Sequence, residues 1–302
     1  NPSDPNLGSV GTPLVRHSQA AFTDGISAIP TGPEPREISN ALFNVSRFRL
    51  DPRGQSQLAT AMWQLVTSHT MALSPAFERN DEDAKASDFI RLHVPADDPF
   101  FNSTEDGVSI PFARTKRLPQ SDSQSQTTSI PNRLSSFVDA ISIYGNQERS
   151  VALRSGSNGL LKMQEGDLLP QNTFGIKMGN NKMVPESKPE DMMAAGDPRA
   201  NENIVLLALH TVFAREHNRL ARELKKKHPT WNDEELFQGA RKYVMAAQQK
   251  ILFYEMIPAM FGKEVVQPYT GYDPTVDPSV SVEFSTTANR LGHVQVAETI
   301  PL

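Results

Sequence analysis

The sequence predicts a mainly α-helical fold with little β structure, and three stretches predict it. Residues 201–227 set Ile204, Leu207, Ala208, Thr211, Val212, Arg215, Leu220 and Leu224 along a long amphipathic helix. A second helical pattern starts at Trp231-Asn232-Asp233-Glu234 and runs through Leu236, Ala240, Tyr243, Val244, Ala247 and Ile251 toward Pro258. A third, Gln55 to Leu73, carries Leu58, Met62, Leu65, Val66 and Met71 at helical spacing. No internal repeat is visible.

Taken in order, residues 1–35 are rich in Pro, Gly and Ser and read as an extended arm. Residues 36–302 read as one domain. Within it, Ser74-Pro75 ends the first helix, and residues 79–131 are polar and broken, with short apolar pieces such as Phe89 to Val94. Gln120 to Thr128 is Ser/Gln/Thr-rich and predicts a loop. Order resumes from Leu134 to Tyr144, and Gly145-Asn146 punctuates it. Residues 154–195 are rich in Gly, Asn and Pro and predict irregular surface. His228-Pro229 ends the long helix, and Asn232 or Asp233 caps the next.

Composition narrows the chemistry. A net charge of -5 is poorly matched to nucleic acid, whose phosphates need a basic face. The run Lys225-Lys226-Lys227 reads as a solvated helix end. With no cysteine, the chain has no disulfide, thiolate nucleophile, zinc–thiolate site or cysteine-ligated haem. No apolar run reaches the length of a membrane-crossing helix, and no leader peptide is visible. The first residue is Asn1, which suggests a mature or trimmed form. The triplets Asn44-Val45-Ser46 and Asn102-Ser103-Thr104 are glycosylation acceptors if the protein is secreted.

There is no GxGxxG, Walker loop, HExxH or GxSxG. The histidines are His17, His69, His93, His210, His217, His228 and His293, and no two have the spacing of a short metal-binding pair. His69 sits on an apolar helix between Ser68 and Thr70 and, by pattern, reads as a buried structural histidine. His293 follows Arg290-Leu291-Gly292, where the glycine permits close approach of something flat or bulky; a helix-end histidine fits the same spacing. Leu134 to Ala140 gathers several oxygen-bearing groups, suited either to one cation or to ordinary helix capping. In Gly196-Asp197-Pro198-Arg199, Asp197 can cap the long helix and Arg199 can be a surface charge.

Read together, these segments resemble the animal haem peroxidase superfamily. The longest match is Ala195-Gly196-Asp197-Pro198-Arg199-Ala200-Asn201-Glu202 followed by Leu209 to Ala221, with His210-Thr211, Arg215-Glu216-His217-Asn218-Arg219 and Leu220 in place. Tyr243 through Gly262 resembles the next family helix. Further matches are Ser136 to Ala140 with Ile143-Tyr144-Gly145, Val282 to His293, and Pro35 to Asn40 followed by Met62 to Pro75. Together they cover about residues 35 to 300 in the family order.

The resemblance implies a mainly α, haem peroxidase-like domain that reduces hydrogen peroxide and oxidises a small reducing substrate in one-electron steps. It implies haem b, with His293 as the proximal ligand to the haem iron. His69 resembles the distal base and Arg199 the distal cation, the two catalytic side chains. Arg290 resembles the arginine that meets a haem propionate, and Glu202 the carboxylate of an ester link to haem. His210, His217 and Arg219 are expected to hold helices together. By family habit the protein is extracellular.

The sequence also departs from the family pattern. Ser68 stands at a haem-contacting position where an ester-forming Asp is common, so at most one link, through Glu202, is expected. Asn203 replaces a methionine, and Leu65 stands where mammalian members place a glutamine near the halide site, which favours general donors over halides. The calcium ligands expected are Ser135, Phe137 by its carbonyl, Asp139 and Thr70. Thr70 replaces an Asp and Ile141 an oxygen side chain, so calcium is expected weak or absent. The sequence stops at residue 302, nine beyond His293, and the contact that orients the proximal imidazole is expected beyond that point; haem retention by this chain is therefore expected to be poor. Two other readings fit parts of the pattern: a non-enzymatic adhesion-type homologue with a decayed haem site, and a fatty-acid dioxygenase. The dioxygenase reading needs a tyrosine near the proximal histidine, where Asn289, Arg290 and Leu291 stand.

Overall fold

Asn203 starts the longest helix: its side chain accepts from the Leu206 N–H at 2.8 Å, satisfying an amide the helix leaves over. The computed structural model describes residues 7–42, 89–101, 108–115, 117–118, 127–132, 134–179 and 188–290. The predicted helix over 55–73, with Leu65, Ser68, His69 and Thr70, lies outside the described residues, as do His293 and the triplets at Asn44 and Asn102.

The described elements are α1 (Pro35–Leu42), β1 (Phe89–His93), β2 (Ser109–Ala113), α2 (Ile141–Tyr144), α3 (Gln147–Leu153), α4 (Ile204–Lys227), α5 (Asp233–Lys250), α6 (Ile257–Phe261) and α7 (Val282–Thr286). Helices dominate, as the sequence predicts. The strands form one antiparallel pair, Phe89 opposite Ala113 and His93 opposite Ser109. No described helix is long and apolar enough to cross a membrane.

Helix α4 buries Leu206, His210, Phe213, Ala214, His217, Asn218, Ala221 and Leu224, steps of three, four or one that trace one face. Lys225, Lys226 and Lys227 lie in its last turn, where cations oppose the helix dipole, and His228 caps its end. Asn232 begins α5 with a reciprocal capping box: its side chain accepts from Glu235 N at 2.9 Å, and its own N–H donates to Glu235 Oε2 at 2.8 Å. The short connection folds α5 back on α4, so that Ala221, Leu224, Leu236 and Ala240 form one apolar cluster beside Trp231. Past Lys250 the helical path loosens into a π-helical turn, Ile251–Met256, before α6.

The main core joins Ile143 and Tyr144 of α2, Leu153 of α3, Leu206 and Phe213 of α4, and Phe237 and Val244 of α5. Each large apolar side chain sealed there contributes about 1.5–3 kcal/mol from removed water contact. The stretch 154–195 corrects the sequence reading in one respect. Its described residues are irregular, with short 3₁₀ turns at Glu165–Asp167 and Pro189–Asp191, yet they are not all surface. Leu161, Leu169, Met178 and Met192 from it are buried in the core, and buried Asn172 ties its backbone with bonds to Ile176. Composition marks a segment as irregular; which of its apolar residues turn inward depends on the helices it crosses.

Gly159 shows that crossing most clearly. Its φ is +67°, and a Cβ there would lie 2.5 Å from Phe237 N and 2.7 Å from Leu236 C. Glycine alone lets this loop lie against the start of α5, where its N–H donates to Asp233 Oδ1 at 2.6 Å. Arg154 closes the same corner, pairing with Asp233 at 2.7 Å and with Glu234 while lying 4.1 Å over the Phe237 ring.

Residues 7–34 contain no helix and run beside other segments. Leu14 N–H donates to Ile130 O at 2.8 Å, and Val15 exchanges bonds with Val280 and Val282 at 3.1 and 2.8 Å. The His17 and Ser18 amides then donate to Glu283 Oε1 at 3.1 and 2.9 Å. Helix α1 is tied separately: Arg36 donates through Nε and Nη2 to Asp98, both at 2.8 Å, and Asn40 adds a third bond at 3.0 Å.

Candidate active site

Gly196 stands where no other residue fits. A Cβ there would lie 2.4 Å from Gly145 N and 2.5 Å from Ile143 C, so the chain passes directly against the end of α2. The close approach lets the Asp197 N–H donate to Ser142 O at 2.8 Å. Pro198 O accepts from Gly179 N at 2.7 Å, and Glu202 N–H donates to Arg199 O at 2.9 Å, which winds the segment into a tight turn before α4.

That turn aims Arg199 inward. Only 4% of Arg199 and 5% of Asp197 is exposed. Asp197 Oδ1 accepts from Arg199 N at 2.8 Å and from its Nε at 3.0 Å, while Oδ2 accepts from Nη2 at 2.8 Å. Arg199 is thus a buried cation rather than a surface charge, and Asp197 serves Arg199 rather than capping α4, a role Asn203 fills. Burial alone would raise the Asp197 carboxyl, but the Arg199 charge and hydrogen bonds and nearby His210 hold it well below the ordinary carboxylate range. Burial acts against Arg199 in turn, and Asp197 and Glu202 outweigh it, so the guanidinium stays charged.

His210 lies one and a half turns into α4 and is 1% exposed. Its Nδ1 donates to Leu206 O at 2.8 Å, which leaves Nε2 as the lone-pair nitrogen of the neutral ring. Nε2 is buried and has no partner among the described residues. Burial, with the Arg199 charge behind it, lowers the His210 pKa against the opposing effects of Asp197 and Leu206 O. Among the described residues His210 bonds only within α4, and it sits within the electrostatic reach of the Asp197–Arg199 pair.

The other predicted residues divide clearly. Glu202 is close enough to act on Arg199, and Arg290 feels it too: burial, then the Arg199 charge, lowers the Arg290 pKa. Arg199, Glu202 and Arg290 are thus brought together. His217 holds elements together as expected, bonding Tyr144 at 2.9 Å and Gly159 at 2.8 Å. Arg219 does not: its side chain is 52% exposed and pairs with Glu216 at 2.7 Å and Glu223 at 2.6 Å on its own helix, as residues three and four apart do. Ser135, Phe137 and Asp139 precede α2, and each gives one oxygen to a local backbone N–H. Ser135 Oγ accepts from Phe137 N at 3.1 Å, Phe137 O from Asp139 N at 2.9 Å, and Asp139 Oδ1 from Ile141 N at 3.1 Å. Among the described residues no cluster of three or more His, Asp or Glu side chains could hold a metal ion.

The family profile for animal haem peroxidases matches residues 1–302. The chain belongs to the animal haem peroxidase family. Among members of related name, lactoperoxidase of Mesocricetus auratus is 32% identical over 99% of this chain and 46% of its own length. Peroxinectin A of Dictyostelium discoideum is 34% identical over 98% of this chain and 56% of its own length. The chain spans about half the length of these two relatives. The solved structure of peroxidase A from Dictyostelium discoideum superposes with a TM-score of 0.78 at 31% identity, covering 97% of this chain and 57% of that one. A fatty acid alpha-dioxygenase of Oryza sativa shares the fold at a TM-score of 0.60 and 20% identity, over 85% of this chain and 37% of its own.

Haem is the cofactor that the family implies. Among the described residues Arg199 is buried and its charge lowers the Arg290 pKa, so two cations lie within electrostatic reach of one another, and such groups suit the carboxylates of a flat cofactor. Sequence reasoning missed Asp197 and His210 as members of the site. The signal was present in Gly196-Asp197-Pro198-Arg199, where an acid and a base flank a proline two residues apart, but the spacing does not say that both turn inward.

Proposed function

We propose that the protein is a haem-dependent peroxidase that reduces hydrogen peroxide and oxidises a small reducing donor in one-electron steps. The observation that carries this reading is Arg199, a cation kept charged in the interior by Asp197. A buried, paired guanidinium adjoining a second arginine suits a site where negative charge develops on a bound oxygen. The chemistry that bound haem supplies is electron transfer to peroxide, with its restoration by the reducing donor.

In this reading His293 would hold the haem iron, Arg290 would meet a haem carboxylate, and Ser68 would contact the haem without forming a covalent link. His69 would take a proton from hydrogen peroxide and return it to the departing oxygen. Arg199 stabilises the charge on the departing oxygen without reorganising, because Asp197 already holds it. Glu202, half-buried beside Arg199, is the residue placed for an ester link; acid-acetone extraction leaving haem on the protein supports that link, and full release counts against it.

The test is peroxide-dependent oxidation of a phenolic donor by the haem-loaded protein. Arg199→Gln is expected to lower the rate by about 10²–10³-fold, the scale for removing one donor aimed at developing charge. His69→Ala is expected to lower it as well. Wild-type protein that holds haem yet shows no peroxide-dependent turnover overturns the reading, and oxygen uptake with an unsaturated fatty acid points to dioxygenase chemistry instead.

A further inference from the structure

Arg199 is a long side chain with many rotamers, yet its direction is determined at both ends of one edge. Asp197 takes the Nε–H and an Nη2–H, two of the five donors of the fork, and its Oδ1 also accepts the Arg199 backbone N–H. The carboxylate is itself held. The Asp197 N–H donates to Ser142 O, and Gly196 lies so close to Gly145 and Ile143 that the loop has no room to shift toward α2. Asp197 O accepts from Ala200 N at 3.2 Å, completing the turn.

We propose that Asp197 is the positioning residue of Arg199: it clamps the Nε–Nη2 edge so that the guanidinium points one way, and its charge offsets part of the cation's field. The inference rests on the reading of Arg199 as the peroxide-side cation. It separates two effects that an arginine alone would combine, since orientation speeds charge-developing chemistry while an uncompensated cation attracts anions of any kind. His210 lies behind the pair with its proton on Nδ1, so it offers Asp197 no competing charge at neutral pH.

Two substitutions pull the effects apart. Asp197→Asn keeps an acceptor oxygen and removes the charge. Asp197→Glu keeps the charge and displaces the carboxylate by one methylene. On the haem-loaded protein, azide affinity read from the absorbance change reports the field, and the bimolecular peroxide rate reports orientation. Asp197→Asn is expected to raise azide affinity by at least about tenfold, the scale of one unit charge about 12 Å away at an effective dielectric near 20, and to slow the peroxide reaction. Asp197→Glu is expected to leave azide affinity near wild type and slow the peroxide reaction by about 10²-fold. A general loss of structure lowers both quantities in both variants and overturns the proposal.

A third measurement needs no turnover. In ¹⁵N spectra the Arg199 Nε–H, assigned by its loss in Arg199→Lys, is expected to be protected from exchange in wild type and exposed in Asp197→Ala, which removes both acceptor oxygens. Equal exchange in wild type and Asp197→Ala overturns the clamp whatever the protein catalyses. Absence of peroxide turnover with a protected Nε–H instead refutes the peroxidase reading and leaves the clamp standing. If Asp197→Asn does not fold, the pair Asp197→Asn/Arg199→Gln, which leaves no lone buried charge, is expected to restore folding, and Asp197→Glu alone decides the orientation arm.

Discussion

The Tyr144 hydroxyl donates to His217 Nδ1 at 2.9 Å, while Nε2 of the same ring donates to Gly159 O at 2.8 Å. One buried imidazole thereby joins α2, α4 and the loop that crosses the start of α5, and each of its nitrogens is satisfied. Tyr144, His217 and Phe237 pack edge to face around it, with centroids 5.1 to 5.6 Å apart. Tyr144→Phe keeps the packing and leaves Nδ1 buried without its donor. The expected loss is about 1–3 kcal/mol, read by urea denaturation with an unchanged slope.

The same ring predicts a pH dependence. Burial, aided by the Arg154 charge and opposed by Gly159 O, holds His217 down to about 4, below its ordinary 6.5. The unfolded chain therefore binds the proton first as pH falls. Stability from this group is complete above about 6.5 and is lost progressively as pH falls toward 4. Melting temperatures measured from pH 7 to pH 4.5 are expected to fall, and His217→Gln is expected to flatten that part of the slope.

Asp98 predicts a second, more acidic transition. Burial would raise its carboxyl, but Asn40, the Phe100 amide, Arg36 and the Phe101 amide outweigh that and hold it at about 2 against an ordinary 3.8. The anchor of α1 is therefore intact above about 3.8 and is released as pH falls through about 2. Amide exchange in α1 is expected to stay slow at pH 4 and to quicken in Asp98→Asn at any pH; equal exchange in the variant refutes the anchor.

Glu283 ties the arm to α7. Glu283→Ala removes the acceptor of the His17 and Ser18 amides, and limited proteolysis is expected to cut within residues 16–28 at least several-fold faster. The bridge between Val15 and Ser281 and the bonds from Thr127 and Thr128 to Gly25 O and Ile26 O then remain. Unchanged cleavage shows that these contacts suffice.

The loop at Ser135, Phe137 and Asp139 predicts weak calcium binding. One carboxylate is present, one oxygen of each residue already accepts a backbone N–H, and Ile141 is apolar and buried. Metal analysis after chelator washing is expected to show no retained calcium, with the melting temperature unchanged. One calcium per chain after washing refutes this.

Much of the framework was legible in the residues. The extent of the long helix, the caps at Asn232 and His228, and the break at Gly145 depend on local chain geometry, which acts within a turn or two; the face marked by Ile204, Leu207, Thr211 and Val212 is not the buried one, since Ile204 and Val212 are exposed and Leu206, His210 and Phe213 are buried instead. The family resemblance likewise rested on ordered local strings, and the full-length match bears it out. The tertiary structure alone decided the direction of side chains on irregular backbone. Local pattern reads Asp197 as a cap for the long helix, whereas Gly196, pressed against Gly145, turns it inward to hold Arg199. Leu161 and Met192 read as surface until the helices they cover were in place. Arg219 and His210 share a helix, yet one faces water and the other Asp197. Local propensity acts over a few residues, whereas burial and charge pairing depend on partners far along the chain. The mainly α fold and the candidate cation at Arg199 were therefore determined by the sequence itself, and the carboxylate that holds that cation in place was decided only when distant segments met.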